Sequence, residues 1–208
     1  MSVLSPFARD AYGIYSPRLI IRTAIESDAE DIREFITNPD NHPHSQTESD
    51  VTIESMRTRI GKWQDSTAKG IGGLQVITLR STGEFIGYGG FNRFDLIDGP
   101  VENATPRYLA DIGIMIAKSH WRKGYGTEAL SALTEYAFAE LGIVRVRIET
   151  DLTNEPWRRL MHTLGLAQFE KQQRVTYDDK AVGYTWYFDA ADWQVIKEDM
   201  KGKGKWSL

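Results

Sequence analysis

The sequence predicts an α+β domain built on a mixed sheet. Three observations carry this. Residues 110–141 read as strand, glycine turn and amphipathic helix. Two further stretches, 74–94 and 167–188, each read as a strand–turn–strand hairpin. Strands and helices do not alternate regularly: one strand is followed by two helices, then antiparallel strands, a long helix, a strand, a short helix and two strands, the order of an α+β domain rather than a repeated βα fold.

Residues 1–17 contain Pro6, Gly13 and Pro17 and are expected to form an arm over the surface. Leu19, Ile20 and Ile21 between Arg18 and Arg22 suggest a first strand. A helix then opens near residues 26–31, with acidic residues in its first turn as the helix dipole favours, and with Ser27 and Glu30 at capping-box spacing. Ile32, Phe35 and Ile36 give its apolar face and Asn38-Pro39 ends it. His42 and His44 sit in a polar loop; His-x-His could ligate a metal, but no third ligand is placed, so no metal site is assigned. A second helix is expected over 52–64, with Ile53, Met56, Ile60 and Trp63 on one face.

The first hairpin turns at Ser81-Thr82-Gly83, and 95–107 reads as a long polar loop, a length often functional. In the stretch that follows, Ile112, Ile114 and Ile116 alternate with Gly113 and Met115, as in a strand. Gly124 and Gly126 break regular structure, and from Thr127 the residues Leu130, Leu133, Ala137 and Leu141 share a helical face, with Ala129 and Phe138 beside it. Val144, Val146 and Ile148 alternate with Arg145 and Arg147, as in a half-exposed strand. Asn154 caps a short helix with Pro156 in its first turn and Gly165 at its end. In the last hairpin Tyr184, Trp186 and Phe188 line one face, and 189–200 reads as a terminal helix before a basic tail, 201–208, expected to fray.

At 208 residues, with 41% hydrophobic and 26% charged content and no internal repeat or linker, the chain is expected to be one globular domain. A net charge of −4 argues against a general nucleic-acid binder. With no cysteine, disulfides, thiolate nucleophiles and cysteine metal sites are excluded. No secretory signal or membrane-spanning stretch is read, so a cytoplasmic protein is the expectation. Oligomeric state stays open, a dimer included.

The turn after the central strand carries the chemistry. Gly124 and Gly126 let backbone N–H groups converge, the following helix adds free donors and a partial positive charge, and Lys118, Arg122 and Lys123 add full charges. This suits a phosphate or pyrophosphate; an ordinary solvated connection is the alternative. A P-loop is excluded, because no G-x-x-x-x-G-K-[ST] run exists. A Rossmann fingerprint is a rival: Gly124, Gly126 and Ala129 satisfy it and Glu149 lies about 20 residues on. That design would make the chain a nucleotide-binding oxidoreductase.

The run Trp121-Arg122-Lys123-Gly124-Tyr125-Gly126-Thr127 resembles the acyl-CoA pyrophosphate loop of the GNAT superfamily of N-acetyltransferases, Gln/Arg-x-x-Gly-x-Gly/Ala. Trp121 replaces the Gln or Arg, as in the branch that acetylates ribosomal-protein N-termini, and residues 154–166 resemble the family's second CoA-side helix. The resemblance implies a mixed, mostly antiparallel sheet flanked by helices and splayed between the strands at 111–116 and 145–149, where the pantetheine arm lies. It implies acetyl transfer from acetyl-CoA to a primary amine, on a small molecule or a protein N-terminus. Residues 121–127, Ile114, Met115, Ile116 and Asn154 are the implied cofactor-binding positions, with a backbone N–H near Ile114 or Met115 stabilising the oxyanion. Asp111, where relatives often carry Glu, is the candidate catalytic carboxylate. The tyrosine that protonates the leaving thiolate in many relatives is Met161 here. A non-catalytic acyl-CoA-binding protein is the alternative from a different class.

Overall fold

The computed structural model describes residues 5–44, 47–97 and 105–208. Its strands are β1 (Gly13–Tyr15), β2 (Leu19–Thr23), β3 (Gly73–Leu79), β4 (Phe85–Leu96), β5 (Tyr108–Ile116), β6 (Arg145–Asp151), β7 (Glu170–Arg174) and β8 (Val182–Asp189). The helices are α1 (Ala29–Thr37), α2 (Ile53–Lys69), α3 (Tyr125–Ala139), α4 (Glu155–Thr163) and α5 (Ala190–Gly202). The strands form one sheet in the order β1-β2-β3-β4-β5-β6-β8-β7, all neighbours antiparallel except β5 and β6.

Strand alternation distributes the helices. Ala110, Ile112 and Ile114 of β5 and Val146 and Ile148 of β6 join a cluster with Ala129, Leu130 and Leu133 of α3, Met161 of α4 and Trp186 and Phe188 of β8. The opposite face, with Val76, Tyr88 and Met115, packs against Ile32, Phe35 and Ile36 of α1 and Met56 and Ile60 of α2. The expected face of Tyr184, Trp186 and Phe188 is indeed core.

Several boundaries differ from the sequence reading, each for a local reason. The N-terminal arm is partly core: Phe7 stacks on Phe94, Tyr12 is buried and 13–15 pair with β2. The α1 end is organised by Asp28 rather than Ser27; its carboxylate accepts from Ile25 N–H (2.7 Å) and from both terminal nitrogens of Arg22. Helix α2 runs on past Gln64 to Lys69, with Thr52 and Ser55 exchanging cap bonds and Gly70 closing it at φ +64°. The polar loop starts two residues late, because β4 reaches Leu96, and β5 starts at Tyr108, just past its expected end; residues 98–104 of that expectation lie outside the described residues. The basic tail folds back: Lys197 Nζ lies 5.4 Å from the centre of the Trp206 ring, which packs 5.8 Å from Trp193.

Candidate active site

Parallel pairing of β5 with β6 covers only Leu109–Arg145, Ala110–Val146 and Asp111–Arg147. Beyond Asp111 the two strands part, leaving one edge of β5 unpaired with β6. Ala117 N–H donates to Ile86 C=O (2.8 Å) across β4. Bonding alternates along an antiparallel strand. With Tyr88 opposite Met115 and Gly90 opposite Gly113, those β5 residues bond β4, while Ile114 and Ile116 turn their N–H and C=O groups into the opening. Of the two residues expected to offer a backbone donor, Ile114 therefore has its N–H on this edge and Met115 does not. The Met115 side chain instead packs toward α1 and α2.

The turn leading to α3 begins at the far end of that edge. Trp121 Nε1 donates to Ile116 C=O at 2.6 Å, anchoring the turn to β5. Arg122 takes φ +63° and Gly124 φ +82°, and α3 starts at Tyr125, two residues before the expected Thr127. The N–H groups of residues 122–127 donate to no backbone carbonyl of the described residues. Gly126 lies against α4: a Cβ there would stand 3.2 Å from Leu160 Cδ2. Free N–H groups at a helix start, Arg122 and Lys123 beside them, form a cradle that fits a phosphate group.

Asn154 uses both ends of its amide inside the protein. Its Oδ1 accepts from Trp157 N–H (3.2 Å) as an N-cap, and its Nδ2 donates to Thr150 Oγ1 (3.0 Å) on β6. Asn154 thus ties the start of α4 to the strand that lines the opening. Met161 is fully buried, so the position of the family's tyrosine offers no proton.

On the sheet face opposite α3, the candidate carboxylate Asp111 is buried, at 7% exposure. Its Oδ2 accepts from Arg147 Nε (2.5 Å) and its Oδ1 from Asn92 Nδ2 (2.6 Å). A bulge in β4 between Phe91 and Arg93 inserts Asn92 at this point. Arg147 is itself 5% exposed, not half-exposed as its alternation suggested, with Nη2 3.0 Å from Asp95 Oδ2. Burial acts to lower the Arg147 guanidinium, but Asp111, Glu149 and Asp95 outweigh it and leave it raised above its ordinary value.

Glu149, two residues along β6, shares the face of Arg147. Its side chain is 3% exposed. Oε2 accepts from Thr176 N–H (2.9 Å) and Oγ (2.7 Å), whereas Oε1 is buried with no hydrogen-bond partner, 3.8 Å from Arg147 Nε. A buried carboxylate oxygen left without a partner is costly and calls for an explanation. The sequence had brought Glu149 forward only as the acidic residue of the Rossmann alternative. The aromatic wall on the same face is Tyr88, stacked on Trp63 at 6.0 Å and met edge-on by Phe35 at 5.4 Å; burial raises the Tyr88 phenol.

Residues 18–167 match the family model of the acetyltransferase (GNAT) domain. The chain belongs to the GNAT N-acetyltransferases. The protein p20, an uncharacterized N-acetyltransferase of Bacillus licheniformis, is 26% identical over 170 residues, covering 82% of this chain and 89% of p20. YoaA, an uncharacterized N-acetyltransferase of Bacillus subtilis, is 29% identical over 167 residues, covering 77% and 89%. The ribosomal L7/L12 α-N-protein acetyltransferase RimL, solved in complex with coenzyme A, shares the fold at TM-score 0.64 and 17% identity, over 86% of this chain and 98% of that one. The Rossmann alternative falls: the glycine run opens a GNAT helix, in a sheet whose one parallel pair among the described strands is β5–β6. Among the described residues no helix is long and apolar enough to cross a membrane.

Proposed function

We propose that this GNAT enzyme acetylates a primary amine with acetyl-CoA bound across the β5–β6 opening. Residues 121–127 would hold the pyrophosphate, the edge at Ile114 and Ile116 the pantetheine arm, with Met115 turned away to β4 and the α1–α2 face, and Asn154 would fix the α4 end of the channel. Acetyl-CoA supplies the acetyl group, activated as a thioester. The observation that carries the reading is the parting of β5 from β6 at the Asp111–Arg147 pair, with the unpartnered Glu149 Oε1 beside it.

An alkylamine with a pKa near ~10 is mostly protonated at neutral pH, so the chain has to accept a proton before the nitrogen can attack. Glu149 Oε1 is the carboxylate oxygen that accepts no hydrogen bond, and, being buried, it would take that proton through water. Asp111, with both oxygens engaged, serves as the fixed countercharge that holds Arg147 and so orients Glu149. The N–H of Ile114 faces the opening, where charge develops on the carbonyl oxygen. Met161 donates nothing, so the thiolate leaves unprotonated or takes its proton from water, and the second proton, shed by the nitrogen as the amide forms, passes to solvent. The same reading takes the protein as cytoplasmic and needs no nucleic-acid or membrane partner.

The test mixes the protein with acetyl-CoA and a panel of amines, including peptide N-termini and polyamines, and follows free thiol. Amine-dependent thiol release is expected. CoA binding without turnover on any amine would make the chain a non-catalytic acyl-CoA-binding protein instead.

A further inference from the structure

The first turn of α3 holds a carboxylate that works against the function just proposed. Glu128 is completely buried one turn into the helix whose N-terminus would receive a phosphate. A helix N-terminus attracts one anion; a second negative charge a turn away opposes it. Glu128 is met by three donors from the β1–β2 turn. Oε1 accepts from Ser16 Oγ (2.7 Å) and Arg18 N–H (2.7 Å), and Oε2 accepts from Arg18 Nε (2.6 Å). The same guanidinium continues to the loop: Nη1 donates to Lys123 C=O (2.9 Å), the group lies 4.6 Å from the centre of the Tyr125 ring, and a Cβ on Gly124 would stand 3.2 Å from Nη2.

We infer that Arg18 is a positioning residue for cosubstrate binding, and this rests on the phosphate-loop reading. It cancels the buried Glu128 charge, so that the α3 terminus is left to the phosphates, and it holds the Lys123 carbonyl so that the following N–H groups keep their direction. The fork geometry matters, because one planar group must reach a carboxylate and a carbonyl at once. The 46% exposure of Arg18 leaves one side of it on the surface of the loop.

The experiment measures Kd by calorimetry for CoA and for pantetheine, which lacks every phosphate, so no acceptor need be known. The proteins are wild type, Arg18→Met, Arg18→Lys and Arg18→Met/Glu128→Gln, each checked for a cooperative melt. If wild type fails to bind CoA, the phosphate-loop reading itself fails. If it binds, Arg18→Met should weaken CoA about tenfold or more and leave pantetheine unchanged. Restoring neutrality in Arg18→Met/Glu128→Gln should recover most of the loss, and raising the salt concentration should narrow the gap between wild type and Arg18→Met. Arg18→Lys, which keeps the charge and loses the fork, should fall between wild type and Arg18→Met, and it stands in if Arg18→Met does not fold. Equal weakening of CoA and pantetheine, or unchanged CoA affinity in a folded Arg18 variant, would overturn the inference. So would a double variant no better than Arg18→Met.

Discussion

The indole of Trp121 donates to the carbonyl of Ile116 across only five residues, 2.6 Å. This bond explains why Trp stands at the first position of the glycine motif. A large planar donor reaches back over the turn and fixes where β5 ends relative to the loop. Trp121→Phe keeps most of the packing and deletes the donor. CoA affinity should drop about three- to tenfold, as the loss of one hydrogen bond of roughly 1 kcal/mol implies. Titration of CoA into the variant checks this; unchanged affinity would make the bond incidental.

Gly126 separates two roles that the sequence combined. A Cβ would meet Leu160 Cδ2 at 3.2 Å, so small displacements of the leucine admit alanine. A β-branched side chain would push α3 from α4. We expect Gly126→Ala to fold with near wild-type melting and weaker CoA binding, and Gly126→Val to lose both stability and binding. Gly124 differs: at φ +82° an alanine is strained by about 1–2 kcal/mol whatever the space. Paired melting curves and CoA titrations on the three variants discriminate the two positions. A Gly126→Val protein that binds CoA normally would remove the loop from the binding site.

Asp111 and Glu149 should respond oppositely to neutralisation. Asp111→Asn leaves the buried Arg147 short of its closest countercharge, so stability should fall by about 3 kcal/mol. Glu149→Gln removes a countercharge of Arg147 that lies farther off, at 3.8 Å, and whose Oε1 has no hydrogen-bond partner, so it should cost less stability than Asp111→Asn while kcat with an amine falls about 10²-fold. The remaining rate of Glu149→Gln should recover as pH rises and the acceptor loses its own proton. If Asp111→Asn is stable and inactive while Glu149→Gln is active, the roles are exchanged.

The glycine motif and most of the order of elements along the chain were legible because both depend on local pattern. Isoleucines alternating before Gly124 and leucines spaced by three and four after it can be read without any tertiary contact. The carboxylate setting was not legible. Asp111 and Arg147 are 36 residues apart, and only the short parallel pairing of β5 and β6 brings them together. An alternating Val-Arg-Val-Arg strand looks half-exposed until Asp95, Asp111 and Glu149 supply enough negative charge to bury the second arginine. Asn92 reaches Asp111 through a bulge, which shifts the register that alternation assumes. The C-terminal tail read as frayed from its lysines and glycines; Trp206 decided otherwise by finding Trp193 and Lys197.

Glu170 gives a prediction in pH. It joins β7 to α4: both its oxygens lie 3.0 Å from Arg158 Nε, and Oε2 lies 2.6 Å from His162 Nε2. The hydrogen bonds from Arg158, helped by His162, hold its carboxyl below the ordinary value of 4.5 against the opposing effect of burial. A carboxyl whose folded-state pKa is depressed binds its proton more readily in the unfolded chain. Its stabilisation is therefore complete above about pH 4.5 and disappears as the pH falls through the lower folded-state value. Glu170→Gln should lower the melting temperature at pH 7, and the difference from wild type should shrink steadily below about pH 4.5. High salt should shrink it also at pH 7, since Arg158 is solvent-accessible. Melting curves of both proteins between pH 3 and 7 decide it. A difference that stays constant across that range would mean that Glu170 joins β7 to α4 through shape and neutral hydrogen bonds, and that its charge contributes nothing.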